Sequence, residues 1–175
     1  MQVRWLIPVG VGAASVAQFA LATQYLTVEQ AQRAAFPDAT EFVATAPALD
    51  AAAFGAAAGW SPHIWRARAG DKDLGWFFED AVIGKSELIT YALAIDSHGA
   101  VISLEVLDYR ESHGGEVRLA PWRKQFAGKT ARDPLELNRD IKNISGATLS
   151  CRHLTEGVQR LLRVFERVLA SAGRL

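Results

Sequence analysis

Residues 89–109 read ITYALAIDSHGAVISLEVLDY. Ile89, Tyr91, Leu93 and Ile95 alternate with other residues, and Ile102, Leu104, Val106 and Asp108 alternate in their turn. That is the two-residue period of a strand. Between the two runs, Ser97-His98-Gly99-Ala100 is short, mostly polar and contains a glycine. The stretch therefore predicts strand, turn, strand over 89–96 and 101–109, and an antiparallel sheet as the centre of the fold.

Working towards the N-terminus, 74–82 carries Trp76, Phe77 and Phe78, and 63–69 alternates loosely around Ile64, Trp65 and Ala67. Both suit strands, because aromatic and β-branched side chains pack well on a pleated surface. Residues 27–36 predict a helix, with Thr27 as N-cap, Gln30 three positions on to complete a capping box, and Pro37-Asp38 as the stop. Residues 40–59 are rich in alanine and interrupted by Pro47; a weak helix over 49–58, ended by Gly59, is the expectation there.

Towards the C-terminus, 144–151 reads ISGATLSC and opens into a helix. Leu154, Val158, Leu161, Leu162, Phe165, Val168 and Leu169 recur at three- and four-residue spacing, while Arg152, Glu156, Gln159, Arg160, Arg163 and Arg167 fill the other face. Ser150 is the expected N-cap. The first backbone N–H groups of a helix lack intrahelical partners and sit at the positive end of its dipole, so an anion before them is stabilised. Gly146 and Ala147 leave room for such an anion. An ordinary capped loop without a ligand is the other reading of the same residues. Together the elements predict an α+β fold: a small antiparallel sheet with packed helices, the last of them amphipathic.

Nineteen basic and nineteen acidic residues balance, and no run of like charge stands out, so nucleic acid and anionic membrane surfaces are not expected partners. Residues 1–22 predict a secretory signal, with Arg4, an apolar stretch from Trp5 to Phe19 and a small-x-small site at Ala20-Leu21-Ala22. An uncleaved N-terminal anchor is the alternative, weakened by Pro8, Gly10, Gly12 and Gln18. One cysteine, Cys151, allows no internal disulfide. The expected organisation is a signal peptide over 1–22 and one domain over 23–175; about 150 residues suffice for one proper core.

After the second strand of the hairpin, Tyr109-Arg110-Glu111-Ser112-His113-Gly114-Gly115-Glu116-Val117 turns abruptly polar and glycine-rich, and Trp122-Arg123-Lys124-Gln125-Phe126 follows. With Ser145-Gly146-Ala147-Thr148, these segments resemble the FMN-binding domain family. That family includes the covalent-flavin domains of the C subunit of sodium-pumping NADH:quinone reductase and the G subunit of the Rnf complex. The Tyr-Arg-Glu, Gly-Gly-Glu-Val and Trp-Arg-x-Gln-Phe pattern is similar to a periplasmic single-domain subgroup. The resemblance spans roughly residues 75–162.

The resemblance implies FMN esterified through its phosphate to Thr148, with Ser145, Gly146, Ala147, Leu149 and Ser150 around it. It implies that Glu111, Gly114 and Gly115 lie beside the isoalloxazine ring, where the family has Glu-Thr-Pro-Gly-Leu-Gly; the proline is absent here. Trp122 could flank the ring or anchor the core, and Arg123, Lys124 and Lys129 could meet flavin oxygens or solvent. The family's attachment motif carries an acid three positions before the Ser/Thr, and this chain has Lys142 there, with Asp140 two residues upstream.

The implied function is an extracytoplasmic, periplasmic flavoprotein that relays electrons, more an electron carrier than a stand-alone enzyme. Its expected partners are a periplasmic flavin transferase for maturation, a membrane electron donor, and a protein or small-molecule acceptor. A flavin-dependent reductase of a small or metal-bound substrate near His113 and Glu111 is one alternative; a non-redox binding domain that has lost the cofactor is another. Gly128-Lys129-Thr130 and Gly84-Lys85-Ser86 resemble the end of a P-loop but lack its first glycine, having Arg123 and Glu79 there. The four histidines show no metal-ligand spacing, and Cys151 reads either as a reactive thiol or as a small core residue.

Overall fold

In a computed structural model, the chain is described over residues 23–170; the expected signal segment lies outside the described residues. The strands are β1 (Thr23–Gln24), β2 (Glu41–Thr45), β3 (His63–Ala69), β4 (Lys72–Ile83), β5 (Leu88–Asp96) and β6 (Val101–Tyr109). They form one sheet in the order β1-β6-β5-β4-β3-β2, every neighbouring pair antiparallel. The helices are α1 (Val28–Ala35), α2 (Ala120–Arg123) and α3 (Thr148–Val164), the last continuing into one π-helical turn at Phe165–Leu169. This is the α+β architecture expected. Among the described residues no helix is long and apolar enough to cross a membrane.

Both faces of the sheet are covered, which is why β4 and β5 read as nearly continuous apolar runs. On one face, Ile64, Phe78, Tyr91, Leu93 and Leu104 pack against Leu154, Val158, Leu161 and Leu162 of α3. On the other, Ala67, Phe77, Ala92, Ala94 and Leu107 meet Ala31 and Phe36 at α1. The alanines in β5 keep that second layer thin enough for a short helix. Burial of an aliphatic side chain of this kind contributes roughly 1.5–3 kcal/mol, so α3, with its larger residues, carries most of the core.

The capping box at α1 is present. Gln30 N donates to Thr27 Oγ1 at 3.2 Å and Thr27 N donates to Gln30 Oε1 at 2.9 Å. Ala31, at the contact with the sheet, is buried. Thr27→Ala is expected to lower stability by about 1 kcal/mol, read as a shifted urea midpoint with an unchanged slope.

Two features of the sheet depart from the sequence expectation. Strand β2 was not foreseen, because Glu41–Thr45 pairs only along one edge with β3, none of its residues is fully buried, and Val43 is left open. The expected helix over 49–58 is a single 3₁₀ turn, Ala52–Phe54, ended at Gly55 with φ 67°. Alanine favours helix, but this segment has one buried anchor, Phe54, and no apolar face to dock a longer helix.

The alternation expected in β6 is also broken. Tyr91 pairs with Val106 and Thr90 with Asp108, so Leu107 is an extra, bulged residue; Ala94 pairs with Ser103 and Ile95 with Val101, so Ile102 is another. Each bulge shifts the side-chain phase by one. Val101 is buried where Ile102 was expected and Ile102 stands 37% exposed. Beyond Leu107 it is Tyr109, opposite Ile89, that faces α3, while Asp108 points to the other face.

Candidate functional site

Tyr109 is the pivot between the end of β6 and the start of α3. Its hydroxyl donates to the His113 carbonyl at 2.6 Å and lies 3.3 Å from Ser150 Oγ. Burial raises its pKa; the Ser150 hydrogen bond opposes this, and the nearby Glu111 and Glu116 charges add to the rise. The loop that follows is thereby folded back over the helix. Gly114 has φ 81°, and a Cβ there would stand 2.9 Å from both Ala147 Cβ and the Tyr109 hydroxyl. The glycine is what lets loop and helix start touch. Gly115 packs beneath Arg118, whose Nε donates to its carbonyl at 2.8 Å.

Glu111 ties the same loop to the β4–β5 turn. Its Oε1 accepts from Ser86 N at 2.6 Å and from Glu87 N at 3.0 Å, and Gly84 gives it room. Partial burial pushes the carboxyl upward, but the backbone N–H groups of residues 85–87 and the Lys85 charge outweigh it, so the net pKa is lowered. Arg110 pairs with Asp108, at 2.8 Å, and not with Glu111. Because the folded pKa lies below the unfolded one, the stabilisation is present above the ordinary carboxylate range and is lost as pH falls through the folded value. Glu111→Gln is expected to lower the unfolding temperature at neutral pH, with the gap to wild type closing in acid. A gap independent of pH would show that the charge contributes nothing.

The motif itself is a turn followed directly by α3. Ala147 N donates to the Ile144 carbonyl at 3.0 Å, and Gly146 has φ 85° with nothing within 4 Å of where a Cβ would be. Helix α3 starts at Thr148, with Ala147 in the cap position and no side-chain hydrogen bond to the cap. The first helical bond found is Cys151 N to Ala147 O, 2.9 Å. The leading N–H groups of a helix have no intrahelical acceptor, so those of Thr148, Leu149 and Ser150 are left to a ligand or water.

Ser150 is therefore not the N-cap. The helix begins three residues earlier than the sequence suggested, and the Ser150 side chain is buried against Tyr109. Trp122 also needs correction as a ring-facing residue. It is 5% exposed, its indole N–H donates to the Lys142 carbonyl at 2.8 Å, and its ring meets Phe126 edge-on at 5.2 Å. It is a core anchor that supports the chain leading into the motif. Arg123 is spent on the Leu104 and Arg118 carbonyls and on Glu105, and Lys129 on Asp140. Asp140 also accepts from the N–H groups of Leu135 and Glu136, which fixes its carboxylate in that turn.

Around Thr148 lies a groove of about 500 Å³. The motif contributes Gly146, Ala147, Thr148, Leu149 and Ser150; the loop contributes Glu111, Ser112 and His113; the β4–β5 turn adds Lys85 and Ser86. Ser145 is exposed at the turn beside it. The groove thus draws three distant segments together on one end of the sheet. Thr148 is exposed and also lines a second groove of about 380 Å³ with Arg152 and Gln159.

Two residues were missed by sequence reading. Lys85 supplies a cation at the groove through the hairpin turn, and nothing in the local sequence signals that. Asn143 donates from Nδ2 to Thr148 Oγ1 at 3.0 Å, while its Oδ1 is buried without a partner. Cys151 is buried in the core and burial raises its thiol pKa, which fits the small core residue and not the reactive thiol. Among the described residues no group of three or more His, Cys, Asp or Glu is placed to hold a metal ion.

A family model described as an FMN-binding domain matches residues 84–163. The span runs from the β4–β5 turn through the loop after β6 and the motif into α3. No curated protein matches the chain.

Proposed function

The chain belongs to the FMN-binding domain family through residues 84–163, and on that footing we propose an extracytoplasmic flavoprotein that carries FMN on Thr148 through a phosphoester and relays electrons between redox partners. The observation that carries this reading is the hydroxyl of Thr148: exposed, first in a helix with no side-chain cap, and on the wall of an open groove.

The residues present fit the group. Uncapped N–H groups at the helix start favour a phosphate anion, Gly146 leaves the backbone open to it, and Lys85 adds positive charge at the rim. Leu149, 40% exposed, offers apolar surface beside Thr148. Glu111 and Tyr109 hold the surrounding loop against the β4–β5 turn and α3, so the walls are fixed before anything binds. Bound FMN supplies one- and two-electron transfer, which the side chains of this groove lack.

A tether is useful outside the cytoplasm, where lost flavin is not readily replaced. The signal read at residues 1–22 supports that location, and a periplasmic flavin transferase is the maturation partner the reading requires. A membrane electron donor and a protein or small-molecule acceptor complete the relay. Glu111 is committed to backbone N–H groups, which weighs against its acting as an acid or base in a reductase. Production with a flavin transferase is expected to give a yellow protein heavier by one FMN less water. A colourless protein of unmodified mass would defeat the assignment, and rapid steady-state reduction of a small substrate would replace the relay with an enzyme.

A further inference from the structure

We propose that Asn143 is a positioning residue for the esterification of Thr148; this rests on the flavin assignment above. A threonine in a helix divides between side-chain rotamers, one of which returns its hydroxyl to a carbonyl in the preceding turn. Helix α3 contains an example: Thr155 Oγ1 donates to the Cys151 carbonyl at 2.6 Å, four residues back, and is buried. Thr148 is the first residue of the helix and has no preceding helical turn to which its hydroxyl could return. Instead Thr148 Oγ1 accepts from Asn143 Nδ2 at 3.0 Å and lies at the groove.

The contact is with a donor, and that suits the chemistry. It occupies one lone pair of Oγ1, leaves the second for attack, and leaves the hydroxyl proton free to depart. In the step, Oγ1 forms a bond to the FMN phosphorus of a flavin adenine dinucleotide. The phosphorus–oxygen bond to the adenylate breaks, AMP leaves with the bridging oxygen, and the proton passes to the transferase or to water. No electron changes owner. An ester oxygen still accepts from an amide N–H, so the same hydrogen bond serves before and after the reaction. Asn143 Oδ1, buried and unpartnered, shows that the amide is not held there by satisfying both of its ends.

The residue lies beside Lys142, where the family motif has its acid. The backbone at 142 is fixed by Gln125 Oε1, which accepts its N–H at 2.8 Å, and by the Trp122 indole on its carbonyl. Asn143 thus projects from a braced segment towards a hydroxyl at the start of a helix.

The test is the time course of the FMN mass increment on the purified protein with a flavin transferase and flavin adenine dinucleotide. Asn143→Ala is expected to lower the turnover of transfer about ten- to a hundredfold, as misplacement of a reacting atom does, with the KM for the dinucleotide and the unfolding temperature unchanged. Asn143→Asp keeps the shape and removes the donor, and is expected to be as slow. Wild-type turnover in either folded variant would overturn the inference while leaving the ester in place. A loss that instead follows a raised KM or a lowered unfolding temperature would also overturn it, since the role is then structural. If wild type gains no mass, the flavin ester itself falls and this role with it.

Discussion

Thr148→Ala is expected to abolish the whole FMN mass increment and the colour that survives denaturation. The reason is geometric. Of the hydroxyls in the motif, Ser150 is buried beneath Tyr109, and Ser145 belongs to the turn before the helix, not to its uncapped start. Neither can replace an oxygen placed where the leading N–H groups converge. Thr148 is exposed and alanine is a strong helix former, so the fold should change by less than about 0.5 kcal/mol. Thr148→Ser should retain the increment. The measurements are intact mass and absorbance after unfolding; a full increment in Thr148→Ala would place the ester elsewhere.

Gly114→Ala is expected to cost about 2–5 kcal/mol, a large share of the 5–15 kcal/mol of a typical domain. Two effects add. Left-handed backbone costs an L-residue roughly 1–2 kcal/mol, and the new methyl would press within 2.9 Å of Ala147 Cβ and the Tyr109 hydroxyl, an overpacking worth roughly 1–3 kcal/mol. Gly146→Ala separates them, because Gly146 has nearly the same φ, 85°, yet open space around the added atom. It should show the backbone cost alone. Urea unfolding of the two variants reads the difference; equal losses would mean that the loop yields and the contact with Ala147 is not tight. Flavin retention should fall with Gly114→Ala, since Ala147 leads directly into Thr148.

The hairpin, the capping box of α1 and the apolar face of α3 were legible because each is a local pattern backed by burial: Leu93 and Leu161 recur where their periods put them and are fully buried. The motif was legible as a turn before a helix, and the resemblance named Thr148. Other parts depend on partners far along the chain. Ser150 looked like a cap because serine often is one, but Tyr109, forty-one residues earlier, claims its side chain. Trp122 gave no local sign of its bond to Lys142, twenty residues on. Lys85 reaches the groove only through the hairpin turn, and Asn143 reads as an ordinary loop residue until the turn at Gly146 folds it back on Thr148. The bulges in β6 were hidden because a sequence shows alternation but not the one residue by which a partner strand is offset.

The bulge at Leu107 acts as a half-period phase shift ahead of the site. With it, Tyr109 falls opposite Ile89 on the α3 face; with an unbroken ladder, Asp108 would fall there and put a carboxylate where the loop-closing hydroxyl now stands. A strand carries its outward and inward faces like the two frames of a binary code. The bulge sets the phase: removal of Leu107 itself would leave a regular ladder with Tyr109 still on the α3 face, whereas closing the bulge at the present strand length would put Asp108 there. Setting one residue off the ladder at 107, independent of which apolar residues the strand contains, is therefore what a β6 of this length requires for the groove at Thr148.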